Sequence, residues 1–181
     1  MKTKPTLEDG TLEAVSGTNT IASELVQKLI SNYRDNQMQA VNKELGITDS
    51  HSIWFDLPKL KKFIACIESE AAKANPEVSE ADLGIRFYYA AYPKAEDWAI
   101  MESHPVEREY AERHTLVMIP TLKKADETGE MLNYDFCPSA EGSTLAMAAK
   151  KGAGGSDGDT LAENHGTLSP PHDTKVEQFP N

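Results

Sequence analysis

The sequence has few cysteines, few basic residues and no long apolar run. Cys66 and Cys137 are its two cysteines, too few for the disulfide network that holds a small secreted domain together. Lys and Arg number 18 against 29 Asp and Glu, so the formal net charge is −11. Because nucleic acid and anionic membrane surfaces attract basic patches, we expect neither as a partner. No apolar stretch approaches the roughly 18 residues that a membrane span needs.

The length of 181 residues suits one hydrophobic core of moderate size. The first residues, MKTKPTLEDG, contain no apolar segment of the kind found in secretion signals. We therefore predict a cytoplasmic protein, although a secreted chain whose signal had been removed would have the same composition. Composition divides the chain into a disordered arm over 1–18, a single α+β domain over 19–136 and a terminal part over 137–181. We expect this last part to hold a short helix, a glycine-rich hinge and a tail that folds back on the domain.

An amphipathic helix is predicted to follow Thr20. Its pattern weakens after Tyr33, and an extension as far as Gly46 is left open. Apolar residues recur at every fourth position from Ile21 to Tyr33, which places them on one stripe of a helix. Thr20 is suited to cap its beginning, and Gly46 is suited to end it.

A second amphipathic helix is predicted to begin after Asp56. An Asp followed by Pro58 in the first turn is a typical helix start, because the N–H that proline lacks has no partner there. A core-facing apolar stripe follows, and Asn75 before Pro76 ends the helix. The stripe consists of Leu60, Phe63, Ile64, Ile67 and Ala71.

The strongest predicted strand covers 84–92, where Ile85, Phe87 and Tyr89 share one face. The other predicted strands cover 52–55, 114–120 and 131–136. The strands at 84–92, 114–120 and 131–136 follow one another without a long intervening helix, and we therefore expect them to pair in antiparallel fashion. Pro120 is expected to end its strand. The predicted fold is α+β, with two amphipathic helices packed on one face of a small, mainly antiparallel sheet. The buried face is expected to carry Ile85, Phe87, Tyr89, Leu116 and Met118 or their neighbours.

The opposite face of the same strand carries Arg86, Tyr88 and Tyr92. We expect the tail around Pro170 to cover part of this face, because extended proline suits an edge or groove where no N–H donor is needed. Asp135 on the polar face of another strand is placed to form an ion pair with Arg86 across the sheet. Arg86, Tyr88 and Tyr92 are also candidate partner-binding residues.

A long loop over 93–113 separates two predicted strands. Long ordered loops are often functional, and this one carries Trp98, Met101 and His104. One interpretation is a partner-binding flap with Trp98 as its anchor. The other, which we favour, is an insertion whose Trp98 and Met101 cover an open edge of the core.

Histidines of the tail are the candidate metal ligands. His165, His172 and Asp173, together with His104 or His114, offer the N and O donors that zinc binds. The chain has no His-Glu-x-x-His, Cys-x-x-Cys or His-x-His motif, and the residues around His165 are a turn sequence in their own right. The turn is therefore the favoured interpretation, and no cofactor is predicted.

Three other chemistries find little support in the sequence. The glycine-rich stretch at 154–158 is a single partial copy of a calcium-binding repeat that works only when stacked. It is no phosphate loop, because Lys150 and Lys151 precede the glycines and close a helix. For nucleophilic catalysis no Gly-x-Ser-x-Gly motif exists; Cys66 is expected to be buried, and no spacing pairs Cys137 with a histidine.

The order of four short motifs resembles that of a group of small uncharacterised bacterial proteins. The motifs are SIWF at 52–55, GIRFY at 84–88, HTLVMIPT at 114–121 and HGTLSPP at 165–171. The resemblance implies a strand–helix–strand–strand plan with a His-Gly-x-Leu-x-Pro-Pro tail, and it implies no activity. Ser169 stands where a cysteine is common in that group, so the resemblance gives the tail no thiol chemistry.

The sequence contains no catalytic constellation, and we therefore expect a non-catalytic binding protein whose partner is another protein. Two alternatives stay open. One is a metal-assisted hydrolase that uses the tail and loop histidines. The other is a structural or assembly subunit, in which the acidic surface keeps the protein soluble and the 93–113 loop makes a homotypic contact. The sequence does not indicate the oligomeric state.

Overall fold

The computed structural model describes residues 20–136 and 161–172, together with Thr174 and Gln178. The predictions that fall outside these residues concern the arm at 1–18, the short helix and hinge within 137–160, Cys137 and Asp173. The described part is an α+β structure with helices and antiparallel sheets, which confirms the predicted fold class. Within it, no helix combines the length and apolarity that crossing a bilayer requires.

The described strands form two antiparallel sheets, and the same part of the chain also forms three α-helices. The helices are α1 (Ser23–Asn32), α2 (Gln39–Leu45) and α3 (Leu57–Ala74), and a π-helical segment, Tyr33–Met38, joins the first two. The strands are β1 (Ser52–Trp54), β2 (Leu83–Ala91), β3 (His114–Ala125), β4 (Met131–Asp135) and β5 (Thr167–Ser169). One sheet has the order β2-β3-β4, and β1 pairs with β5 in a second.

The first helix begins later than predicted but its end is as predicted. It begins at Ser23, after Ala22, which makes no side-chain cap hydrogen bond, and Thr20 is not its cap. Gly46 follows α2 in the left-handed conformation, with φ of 68°. Glycine suits this position because it has no Cβ to clash there.

No residue of α1 or α2 is buried. Ile21, Leu25 and Leu29 of the predicted stripe are 62%, 51% and 57% exposed, whereas Val26 and Ile30 beside them are half-buried. The prediction that two helices pack on the sheet is therefore only approximate. The apolar band of α1 is wider than the part of it that contacts the rest of the protein, and periodicity alone does not tell which side of such a band faces inward.

Helix α3 supplies the buried helical side chains. Asp56 caps it as predicted, since its Oδ1 accepts a 2.7 Å hydrogen bond from the Lys59 N–H, and Pro58 lies in the first turn. The core it builds consists of Phe63, Ile67 and Ala71 with Met118, Leu122 and Phe136. This core covers one half of the three-stranded sheet.

The second half of β2 is uncovered, and here the predicted core is wrong. Ile85 packs against the α3 core, but Phe87 is 54% and Tyr89 is 93% exposed. Because a β-sheet twists, a single straight helix lies along only part of its face. Among the residues that the structure describes, no second helix covers Phe87 and Tyr89, and both side chains are exposed.

Strand β3 continues through Pro120 to Ala125, so the prediction that Pro120 ends this strand is wrong. The Pro120 carbonyl accepts a 2.9 Å hydrogen bond from the Phe136 N–H. In an antiparallel strand the N–H and C=O of one residue face the same edge. The N–H that Pro120 lacks would therefore point toward Phe136, so the pairing with β2 loses no hydrogen bond.

The tail at 161–172 lies on the body of the protein. Leu168 in β5 pairs with Ile53 in β1 and is fully buried. Glu163 exchanges backbone hydrogen bonds of 2.9 and 3.1 Å with Met118 at an edge of β3. Gly166 allows the close approach, because a Cβ there would lie 2.4 Å from the Ile53 side chain.

Candidate interaction surface along strand β2

The 93–113 loop packs on the protein through an aromatic cluster. The cluster consists of Tyr92, Tyr110 and Leu168, with Trp98 and Met101 packed against it. The Tyr92 ring centroid lies 6.2 Å from that of Trp98 and 5.6 Å from that of Tyr110, and burial raises the pKa of Tyr92. The placement agrees with the interpretation in which the loop covers the core. A role for Trp98 as a partner anchor stays a prediction.

Arg86 and Tyr88 meet Asp135 on the other face of the sheet, so the predicted cross-sheet ion pair is present. The Arg86 Nη1 and the Tyr88 hydroxyl both donate to the Asp135 carboxylate. Arg86 Nη2 also donates to the Asn133 carbonyl at 2.8 Å. Tyr92, by contrast, belongs to the aromatic cluster. The structure therefore separates Tyr92 from the two residues with which it was grouped.

The histidines proposed as metal ligands lie in separate pairs. His172 Nε2 is 2.7 Å from Glu107 Oε2, and His165 Nδ1 is 3.2 Å from Glu163 Oε1. The His104 ring centroid lies 6.1 Å from that of His165. Among the described residues, no group of three His, Cys, Asp or Glu side chains is placed to hold a metal ion. The hydrolase alternative stays a prediction that these residues do not support.

No sequence pattern predicts the buried carboxylate that lies beside His114. Asp49 is 1% exposed, and its Oδ2 pairs with His114 Nδ1. Its Oδ1 accepts hydrogen bonds of 2.8 Å from the backbone N–H groups of Ser50 and His114. Burial and the Asp49 carboxylate together raise the pKa of the neighbouring Tyr33. No spacing in the sequence relates positions 49 and 114, so no pattern could have found the pair.

The Asp49–His114 pair has the orientation of the acid and base in a hydrolytic triad. Within the described chain, however, no Ser, Thr or Cys side chain hydrogen-bonds to His114. The pair instead ties the connection between α2 and β1 to the beginning of β3. We interpret it as a structural link.

The outer edge of β2 is a free edge of the three-stranded sheet within the described structure. The Tyr92 N–H donates to the Arg113 carbonyl, so even-numbered residues of this strand direct their main chain toward β3. The odd-numbered residues then direct theirs to the outside. No described residue hydrogen-bonds to the outward N–H and C=O groups of Ile85, Phe87 or Tyr89.

A groove of about 310 Å³ opens beside the first half of this edge, between α3 and β2. Its lining residues are Ile64, Ile67, Leu83, Gly84 and Ile85, with Glu68 and Glu80. Ile64 is 44% exposed, and both glutamates are exposed. A row of unpaired main-chain groups, two exposed aromatic side chains and an apolar groove thus follow one another along β2.

A second cavity, of about 490 Å³, lies between the first half of α3 and residues 161–163. The half-buried thiol of Cys66 lines it. The Lys59 ammonium at its wall already donates to the His165 carbonyl at 2.8 Å. We assign no ligand to this cavity.

No protein-family model, curated protein or solved structure matches this chain. The functional proposal therefore rests on the geometry of the β2 edge.

Proposed function

We propose that the chain is a non-catalytic protein-binding protein, and that an extended segment of its partner adds as a strand to the outer edge of β2. The supporting observation is that this edge carries both main-chain groups that no described residue pairs and the side chains of Phe87 and Tyr89, which are 54% and 93% exposed. Strand addition obtains affinity from main-chain hydrogen bonds and specificity from alternate side chains.

Within the described part of the chain, this edge lacks the protection that natural sheets place on free edges. Proteins commonly blunt such an edge with Lys, Pro or an inward-pointing charge. Between Leu83 and Ala91 the one charged residue is Arg86, and its guanidinium is turned to the other face, where Asp135 binds it. An exposed and unprotected edge of this kind favours a binding role.

The exposed aromatic residues support the same proposal. Exposed aromatic side chains contribute a large share of the binding energy at protein interfaces, because they bury much area and lose little conformational entropy. Tyr89 contributes almost nothing to the core, being 93% exposed. A binding partner gives this side chain a role that packing does not.

An assembly subunit is the second candidate, because the β2 edge is able to pair with a second copy of itself. The odd-numbered residues from Leu83 to Ala91 direct their main-chain groups outward, and Phe87 is the middle one of them. Two copies of β2 that pair in antiparallel fashion about Phe87 would therefore pair over the whole strand. The mass of the protein in solution separates this candidate from a monomer that binds a different protein.

The test screens a random heptapeptide display library against the protein and maps an enriched peptide by amide chemical-shift changes. We expect the largest changes at the outward amides of Ile85, Phe87 and Tyr89, and smaller ones at Arg86 and Tyr88. Tyr89→Pro removes one outward N–H and should abolish binding, whereas Tyr89→Thr keeps that N–H and should retain part of it. Absence of any enriched peptide, or changes confined to another surface, would contradict the proposal.

A further inference from the structure

We infer that the groove between α3 and β2 makes this edge selective for a segment with the order apolar–x–basic, a basic residue following an apolar one after a single spacer. The inference rests on the proposed strand addition and names the chemistry of the segment that is added. It depends on the lining of the groove, its position along β2 and the charge around it.

The floor of the groove is apolar and lies on the α3 side of the sheet. Ile67 on the helix and Ile85 on the strand line it, and Ile67 is 3% exposed, so the groove adjoins the core. A volume of about 310 Å³ accommodates an aliphatic side chain. Because Ile85 also carries outward main-chain groups, a strand paired beside it would project one side chain into this space.

The rim of the groove is negatively charged. Glu68 on α3 and Glu80 just before β2 both line it, and both are exposed. No described residue forms a hydrogen bond or ion pair with either carboxylate. The whole chain carries a net charge of −11. Because opposite charge at an interface rim favours association and like charge opposes it, a basic side chain suits this rim.

Strand geometry determines the order of the two side chains. Residues on one face of a strand are two positions apart, so the groove side chain and the rim side chain flank one spacer. Glu80 lies just before β2. We propose an antiparallel partner, the orientation of all described strand pairs, and such a partner runs in the direction opposite to β2. Its basic residue therefore comes after its apolar residue in the sequence.

The probes are three blocked heptapeptides that differ at one position each. The reference is Thr-Tyr-Thr-Leu-Thr-Arg-Thr, the charge variant replaces Arg with Glu, and the size variant replaces Leu with Ala. Dissociation constants are measured on the full chain by chemical-shift titration at low salt. We expect the reference peptide to bind about five- to tenfold more tightly than the charge variant, and also more tightly than the size variant.

Two protein variants identify the source of the charge preference. Glu68→Gln combined with Glu80→Gln should bring the Arg and Glu peptides to similar affinity, while the preference for Leu over Ala persists. Glu77→Gln is the matched control, because Glu77 is also exposed and does not line the groove. High salt should reduce the Arg preference in the unmodified protein, since it screens exposed charges.

The outcomes separate this inference from the proposed function. Equal affinity of the Arg and Glu peptides, with shift changes along β2, overturns the selectivity and leaves strand addition standing. No shift change with any of the three peptides, together with no enriched library peptide, overturns both. If the protein is a dimer and the Tyr89→Pro substitution dissociates it, the β2 edge binds a second copy of the chain. That result overturns the proposal that an apolar–x–basic segment occupies the edge.

Discussion

At the scale of single residues, close contacts and buried polar groups hold the tail and the connection before β1 in place. Gly166 is buried against Ile53 and Phe55, and a Cβ would approach the Phe55 ring to 2.8 Å. His51, just before β1, lies 3.2 Å from an Arg34 nitrogen. Gly166 and His51 thus contact residues that are distant in the sequence, and the residues next to them in the chain do not indicate these contacts.

Gly166→Ala should destabilise the protein by about 1–3 kcal/mol, because the added methyl group has no space beside Ile53 and Phe55. Urea denaturation followed by circular dichroism measures the loss. Ala162→Ser, in an exposed position of the same segment, serves as the control and should leave the midpoint almost unchanged. Equal midpoints for Gly166→Ala and the unmodified protein would contradict the close contact.

His51 should make the protein less stable as the pH falls. Its pKa is lowered from 6.5, first because burial disfavours the charged ring and second because Arg34 repels it. Below about pH 6.5 the unfolded chain therefore binds a proton that the folded chain resists, and acid favours unfolding. The contribution of His51 is fully present above that pH and is lost as the pH falls below it.

The measurement compares the unfolding free energy of the unmodified protein with that of His51→Gln at several pH values. Because the other titrating groups are common to both proteins, the difference reports on His51. The unmodified protein should lose more stability between about pH 7.5 and about pH 5.5. Parallel curves of unfolding free energy against pH for the two proteins would contradict the prediction, because they would mean that His51 has the same pKa in the folded and the unfolded chain.

At the scale of elements, β2 has two different halves. Near Ile85 the strand packs against α3, whereas at Phe87 and Tyr89 its face is open to water. α3 cannot cover both halves, because the twist of the sheet carries the second away from a straight helix. An element predicted as a core strand therefore serves as core in one half and as surface in the other.

Tyr89→Thr should cost less than about 1 kcal/mol, since the side chain is 93% exposed and threonine keeps a strand preference. Leu122→Ala, in the part of β3 that packs on α3, should cost about 2–5 kcal/mol, because Leu122 is 6% exposed. Both are measured as shifts in thermal or urea unfolding. A large loss for Tyr89→Thr would mean that the exposed half of β2 contributes to folding after all.

At the scale of the whole molecule, the tail joins parts of the structure that are far apart in the sequence. β5 pairs with β1, Glu163 bonds to the edge of β3, and Leu168 fills the aromatic cluster beneath the 93–113 loop. Without the tail, the part of the chain from Thr20 to Phe136 therefore lacks the strand that pairs with β1 and the buried Leu168 side chain.

A chain that ends at Phe136 should be strongly destabilised, because it loses the partner of β1 and the buried Leu168 side chain. A synthetic peptide of residues 161–178, added in trans, should raise its unfolding temperature in proportion to peptide concentration. The same peptide with Leu168→Ala is the control and should be less effective. An unfolding temperature unaffected by truncation would contradict the role given to the tail.

Features that depend on local backbone chemistry could be predicted from the sequence. Asp56 before a proline marks the beginning of α3, and Gly46 marks the end of α2, because each signal acts within one helical turn. The cross-sheet pair of Arg86 and Asp135 could also be anticipated, since alternation in two strands places both on one face.

The candidate surface could not be predicted in the same way. Phe87 and Tyr89 satisfy the pattern of a buried strand face, and nothing near them in the sequence shows where α3 stops covering the sheet. Asp49 and His114 are likewise distant in the sequence and joined by folding alone.

The amino-acid sequence by itself determined the α+β class, the beginning of α3, the end of α2 and the alternating faces of β2. These follow from capping, from the left-handed conformation of glycine and from the two-residue repeat of a strand, all of which act over short distances. The tertiary structure alone decided which apolar side chains face water and which edge stays open. Both depend on the twist of the sheet and on where distant segments come to lie, and neither leaves a repeating pattern in the sequence.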